Sequence, residues 1–209
     1  MQNYTKNYTD GFTLVEALIA ISILMIAIAS PMTLAQKGLS TATLSKDQMI
    51  ASFLAQDGVE AVKNIRDQIA VSASPGSDWL GAPLTPCVCG PSDNCDFNVP
   101  TGLKFCTIDT TRTWTNIEGG SIQPGDVNNA KLKISYTNPL PGETKTFLKY
   151  DYAGTEDSKF TRYINIKKSG TSGISSDEAV INVRVFWDST LGPQKIDIQD
   201  FIYNYSENL

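Results

Sequence analysis

Hydrophobic and polar positions divide the chain into three stretches of different period. From Phe12 to Ala35 almost every position is apolar or small, interrupted by one acid, Glu16, and one proline, Pro31. At about 1.5 Å per residue, a helix over this run is about 36 Å long, enough to cross a hydrocarbon core of roughly 30 Å. Pro31 removes one helix hydrogen bond and predicts a bend or local melting. Further on, Leu44, Ile50, Phe53, Leu54, Ala61, Val62, Ile65 and Ile69 recur at three- and four-residue spacings. Lys46, Asp47, Gln56, Asp57, Lys63, Arg66 and Asp67 take much of the other side, the pattern of an amphipathic helix laid on a globular domain. If continuous from Phe12 to about Ile69, the helix is roughly 85 Å long. Gly38 and Gly58 lower its propensity and mark candidate flexible points.

After Ser72 the period becomes two. Residues 74–125 hold all four cysteines and six of the ten prolines, which predicts an irregular, disulfide-stapled surface region. Leu132, Ile134 and Tyr136 alternate with lysine and serine, and Asn138 to Gly142 marks a turn before a strand over Thr144 to Tyr152. Phe160 to Lys167 is a further strand. Ile181, Val183, Val185 and Trp187 share one face; Asp188 to Pro193 then turns the chain into an alternation led by Ile196 and Ile198. An antiparallel sheet packed on the amphipathic helix hides the apolar face of each element, so the expected class is α+β. The expected organisation is an apolar helix over 12–35, its amphipathic continuation over 36–70, and one β-rich head over 71–209, long enough for a core of its own.

Cys87, Cys89, Cys95 and Cys106 lie within 20 residues. A bond between Cys87 and Cys89 strains its one-residue loop, which leaves 87–95 with 89–106, or 87–106 with 89–95. A four-thiolate zinc site competes, but the C-x-C spacing departs from the usual C-x2-C knuckle. The membrane-grade run would place the head outside the cytoplasm, where an even cysteine count favours disulfides. The chain has no histidine, which removes the Ser-His-Asp triad, the Cys-His pair and His-ligated zinc, and no enzymatic function is expected. Asp93, Asn94 and Asp96 offer oxygens to calcium but lack the EF-hand spacing and its closing glutamate, so no metal or cofactor is expected. Asp93 with Asp96, and Glu156 with Asp157, read as solvated loop charge. A net charge of −5 disfavours a nucleic-acid surface, and Lys167 with Lys168 reads as a solvated turn.

One acid remains to be explained. A carboxylate four residues inside a membrane-grade helix costs a few kcal/mol unless it has a partner, and no cation is near Glu16 in sequence. A cut after Gly11 would supply one, the new amino group of Phe12. Gly11, Phe12 and Glu16 followed by the apolar run resemble the cleavage and N-methylation signature of type IV prepilins and type II secretion pseudopilins. The leader differs from the usual pattern in carrying Thr9-Asp10 before the glycine, with Lys6 its one basic side chain.

The resemblance implies a leader, residues 1–11, removed by a membrane-embedded prepilin peptidase that also methylates Phe12. It implies a single-pass precursor with its head outside the cytoplasm, delivered by an inner-membrane assembly platform to a pilus or pseudopilus at the cell surface. There Glu16 neutralises a neighbour's terminal amine while the N-terminal helices pack together. The implied fold is pilin-like, and the large irregular head and C-terminal Val-Arg-Val-Phe-Trp strand resemble minor pilins. Asn3-Tyr-Thr and Asn7-Tyr-Thr resemble glycosylation acceptors but fall in the leader. The competing readings are a singly anchored extracellular binding domain that never assembles and a DNA-uptake competence pilin.

Overall fold

The computed structural model describes residues 11–72, 78–90, 92–98, 102–109, 122–124, 130–137, 147–168 and 177–204. The chain divides into two compact units, Met1–Lys46 and Asp47–Leu209. One helix, α1 (Leu14–Ser72), runs through Pro31, Gly38 and Gly58 without a break, so the local melting expected at Pro31 does not occur. In the first unit the large apolar side chains from Phe12 to Leu39 are exposed.

In the second unit α1 packs on a sheet of eight strands: β1 (Val88–Cys89), β2 (Cys106–Ile108), β3 (Ile122–Pro124), β4 (Lys131–Thr137), β5 (Phe147–Asp151), β6 (Glu156–Lys168), β7 (Glu178–Ser189) and β8 (Gly192–Tyr203). The centre is β6. One side of it pairs with β7, which carries β8 outside it. The other side pairs in succession with β4, β2 and β1. The fold class is α+β and pilin-like, as expected. Seven strands pair antiparallel; β1 is the exception, aligning Val88 with Ile166 and Cys89 with Lys167 in parallel. Three short strands therefore arise inside the region expected to be irregular, and they extend the sheet. The expected turn over Asn138 to Gly142 lies outside the described residues. The turn expected over Asp188 to Pro193 is tighter: the strands pair through to Ser189 and Gly192, and Gly192 takes a φ of 103° that suits glycine.

Side-chain parity sets the layers. Arg162 and Ile164 of β6, with Val183 of β7, face α1 and lie 3.2–3.4 Å from where a Cβ on Gly58 would sit. Gly58 thus serves close approach of helix to sheet, where its propensity alone suggested a flexible point. Ala51, Leu54, Ala55, Val62, Ile65 and Ile69 of α1 are buried, as are Phe160, Ile166, Ile181, Val185 and Trp187 of the sheet. The opposite face of the sheet is covered by the cysteine-containing loop: Phe97 stacks on Tyr163, Phe105 meets the same ring edge-on at 4.5 Å, and Asn165 donates to the Cys95 carbonyl.

Three helix positions depart from the expected amphipathic pattern. Phe53 is 63% exposed, while Asp47 and Arg66, expected on the polar side, are 3% and 7% exposed. Each buried charge is compensated. Asp47 pairs with Lys159, and Arg66 donates to Asp67 and, at 3.0 Å, to the Tyr203 carbonyl. The least expected core residue is Arg162, 1% exposed. Its guanidinium donates to the Leu54 carbonyl at 3.0 Å, the Ile108 carbonyl at 2.6 Å, Asp57 at 2.8 Å and the Tyr152 hydroxyl at 3.3 Å. One cation thereby ties α1, the end of β2 and the chain after β5 to the central strand. Burial raises the Tyr152 hydroxyl above its ordinary pKa, which keeps it neutral against that cation.

Candidate processing and assembly site

Residues 11–13 precede the helix, which begins at Leu14. Thr13 sets that start: its Oγ1 accepts from the Glu16 backbone N–H at 3.3 Å and its carbonyl from Ala17 at 3.1 Å. A threonine accepting from the N–H three residues on satisfies one of the donors left over at a helix N-terminus. Gly11 and Phe12 are therefore in non-helical backbone, and both are exposed, Phe12 by 77%. The bond between Gly11 and Phe12 therefore lies outside the helix and is accessible.

Glu16 sits exposed in the first turn of α1. The partial positive charge of a helix N-terminus favours an acid there, worth typically 0.3–1 kcal/mol on a surface. That effect is too small to offset the cost of the carboxylate in hydrocarbon, so the helix end alone does not account for it. A cut after Gly11 would leave Phe12 and Thr13 ahead of the helix. α1 is long and apolar enough to cross a membrane, and none of its most apolar window is buried.

The cysteines form two disulfides, Cys87–Cys106 and Cys89–Cys95, the second of the two pairings left open by spacing. With all four bonded, no thiolate set remains for zinc. The oxygens considered for calcium are engaged locally. Asp93 accepts from Lys104 at 2.8 Å and from the Gly90 N–H, Asn94 Oδ1 accepts from the Asp96 N–H, and Asp96 Oδ1 from the Asn98 N–H. The hydrogen bond from Lys104 holds the Asp93 carboxyl below the usual range. Asp157 pairs with Lys131 at 3.4 Å, and Lys168 with Asp78 at 2.5 Å. Arg162 and the row Asn165, Asn182 and Gln199 were not signalled in advance, because a lone polar residue in an alternating strand reads as solvent-facing.

Residues 6–30 match the prokaryotic N-terminal methylation motif. No curated protein and no solved structure matches the chain. By residues 6–30 the chain carries the signature of the type IV prepilins and pseudopilins, and with its apolar helix this fits a single-pass membrane-anchored precursor that assembles into surface pili.

Proposed function

We propose that this protein is a non-enzymatic structural subunit, a minor component of a type IV pilus or of a type II secretion pseudopilus. The prepilin peptidase cuts after Gly11 and methylates Phe12; the assembly platform of the inner membrane then passes the subunit into the filament. The observation that carries this reading is the register of Gly11, Phe12, Thr13 and Glu16. An accessible non-helical bond, a capped helix start and an acid in the first turn fall within six residues, inside the matched motif. After cleavage, the Phe12 amine of one subunit and Glu16 of another pair in an apolar surrounding, where an ion pair fixes position because neither charge is tolerated alone. A minor role is supported by a head with a disulfide-held loop laid over its sheet.

Intact-mass measurement of chain coexpressed with a prepilin peptidase tests the processing: loss of residues 1–11 with one added methyl is expected. Uncut chain, beside a control substrate that is processed, would overturn it. Glu16→Ala separates assembly from mere anchorage. The variant should be cut normally and be lost from filaments; unchanged incorporation would overturn the role of Glu16, and a parent chain that is itself absent from filaments, with the variant behaving like it, would leave the singly anchored reading.

A further inference from the structure

The sheet face turned away from α1 carries a cleft. Strand register aligns three rows across β6, β7 and β8 on this face. In the middle row, Gln199 Nε2 donates to Asn182 Oδ1 at 2.7 Å, Asn182 Nδ2 donates to Asn165 Oδ1 at 3.0 Å, and Asn165 Nδ2 donates to the Cys95 carbonyl at 3.2 Å. The amide ladder begins under the cysteine loop, where Asn165 is fully buried, and ends in the open at Gln199. The row on one side is Arg184 with Asp197, joined by two hydrogen bonds of 2.5 and 2.7 Å. On the other side the row is Lys167, Val180 and Phe201, with Phe201 55% exposed and Tyr203 following it on the same strand face. A cleft of about 140 Å³ opens between the loop and these strands, and its lining includes Asp96, Asn98, Lys167, Asn182, Arg184 and Gln199.

The chemistry of this cleft is selective. Arg184 and Asp197 neutralise one another, and Lys167 faces a cleft that also holds Asp96, so no net charge recruits an anion or a metal ion. Among the described residues, what carries no partner is mixed: the Gln199 carbonyl, the Lys167 ammonium and one Asp96 oxygen supply acceptors and donors to the same cleft. Outside the lining, the next residue of β8 on the same strand face after Gln199 is the exposed Phe201, its backbone about 7 Å further along the strand. A sugar ring matches both halves, because each hydroxyl donates and accepts at once while the C–H face is apolar. The wall is fixed in advance: Cys89–Cys95 closes the loop, Asx turns hold Asp96 and Asn98, and Arg184 donates to the Phe97 carbonyl at 2.7 Å. Preorganised polar groups beside an aromatic surface are the make-up of a small-molecule site. We infer that this cleft binds a neutral saccharide, with hydroxyls on Gln199, Lys167 and Asp96 and a C–H face on the neighbouring Phe201.

The test uses the full chain in a detergent without a sugar headgroup, titrated with neutral hexose and N-acetylhexosamine oligomers. The side-chain amide resonances of Gln199 and Asn182 are followed by NMR. At least one oligomer should shift both amides saturably. Gln199→Ala and Phe201→Ala should each weaken that binding tenfold or more, Phe201→Ala with the unfolding midpoint unchanged and Gln199→Ala with only the loss expected from its hydrogen bond to Asn182. No shift with any oligomer, binding that survives both substitutions, or a peptide that occupies the same amides in place of sugar would overturn the inference. Running wall fragments of the producing cell beside the free oligomers tells an envelope tether from an adhesin. Because unassembled chain is read, the outcome is independent of Glu16 and of filament incorporation.

Discussion

Arg162 sits at the centre of an otherwise apolar layer, and its four acceptors belong to three different parts of the head. Replacing it by alanine strands the Ile108 carbonyl and empties the space of a long side chain, so urea unfolding of Arg162→Ala should show a loss of about 3 kcal/mol or more. Arg162→Met, which restores volume but no donor, should recover part of it. Acid sensitivity belongs to the same scale. A hydrogen bond from Lys63 holds the Asp200 carboxyl below its ordinary range, and one from Arg184 does the same for Asp197. Their folded pKa values lie below the roughly 3.9 of an unfolded aspartate, so the stabilisation is complete above about pH 4 and fades as pH falls through the folded values. Asp200→Asn should therefore lower the melting temperature near neutrality and flatten its fall in acid; identical pH profiles would contradict this. Neither Arg162 nor Asp200 announces its partner in sequence, since both contacts join residues far apart along the chain.

Elements were legible in proportion to their length. The alternation from Ile181 to Trp187 and from Ile196 onward is strong enough to reveal β7 and β8, and the spacing from Leu54 to Ile69 reveals the buried face of α1. Strands β1, β2 and β3, two or three residues each, carry no readable period and exist because the loop is tied to β6. The disulfides show the same limit: spacing left two pairings, and the fold selects by bringing Cys87 to 4.8 Å from Cys106 between Cα atoms. In the chain-entropy account the longer loop closed by Cys87–Cys106 stabilises by about 3 kcal/mol and the shorter Cys89–Cys95 loop by about 2 kcal/mol. Paired Cys→Ser replacements followed in guanidinium should preserve that order.

At the scale of the molecule, the N-terminal motif was fully legible, because a glycine, an aromatic residue, an acid and an apolar run in one register need no tertiary contact to be recognised. The cleft beside the cysteine loop was not, since its groups come from a loop and three strands that only the fold assembles. Asp10 places a negative charge beside the bond proposed to be cut, where prepilins usually have a basic residue; Asp10→Lys should speed appearance of the trimmed species in a pulse-chase experiment.

The outermost strand, β8, has a further consequence. Pro193 has no N–H to offer, the Phe201 N–H is taken by the Asp200 carboxylate at 2.8 Å, and the Tyr203 carbonyl is taken by Arg66. Both ends of an otherwise open ladder are thus stoppered by the protein's own groups. Wherever such heads are crowded at high local concentration, this keeps neighbouring sheets from zipping into a runaway cross-β stack.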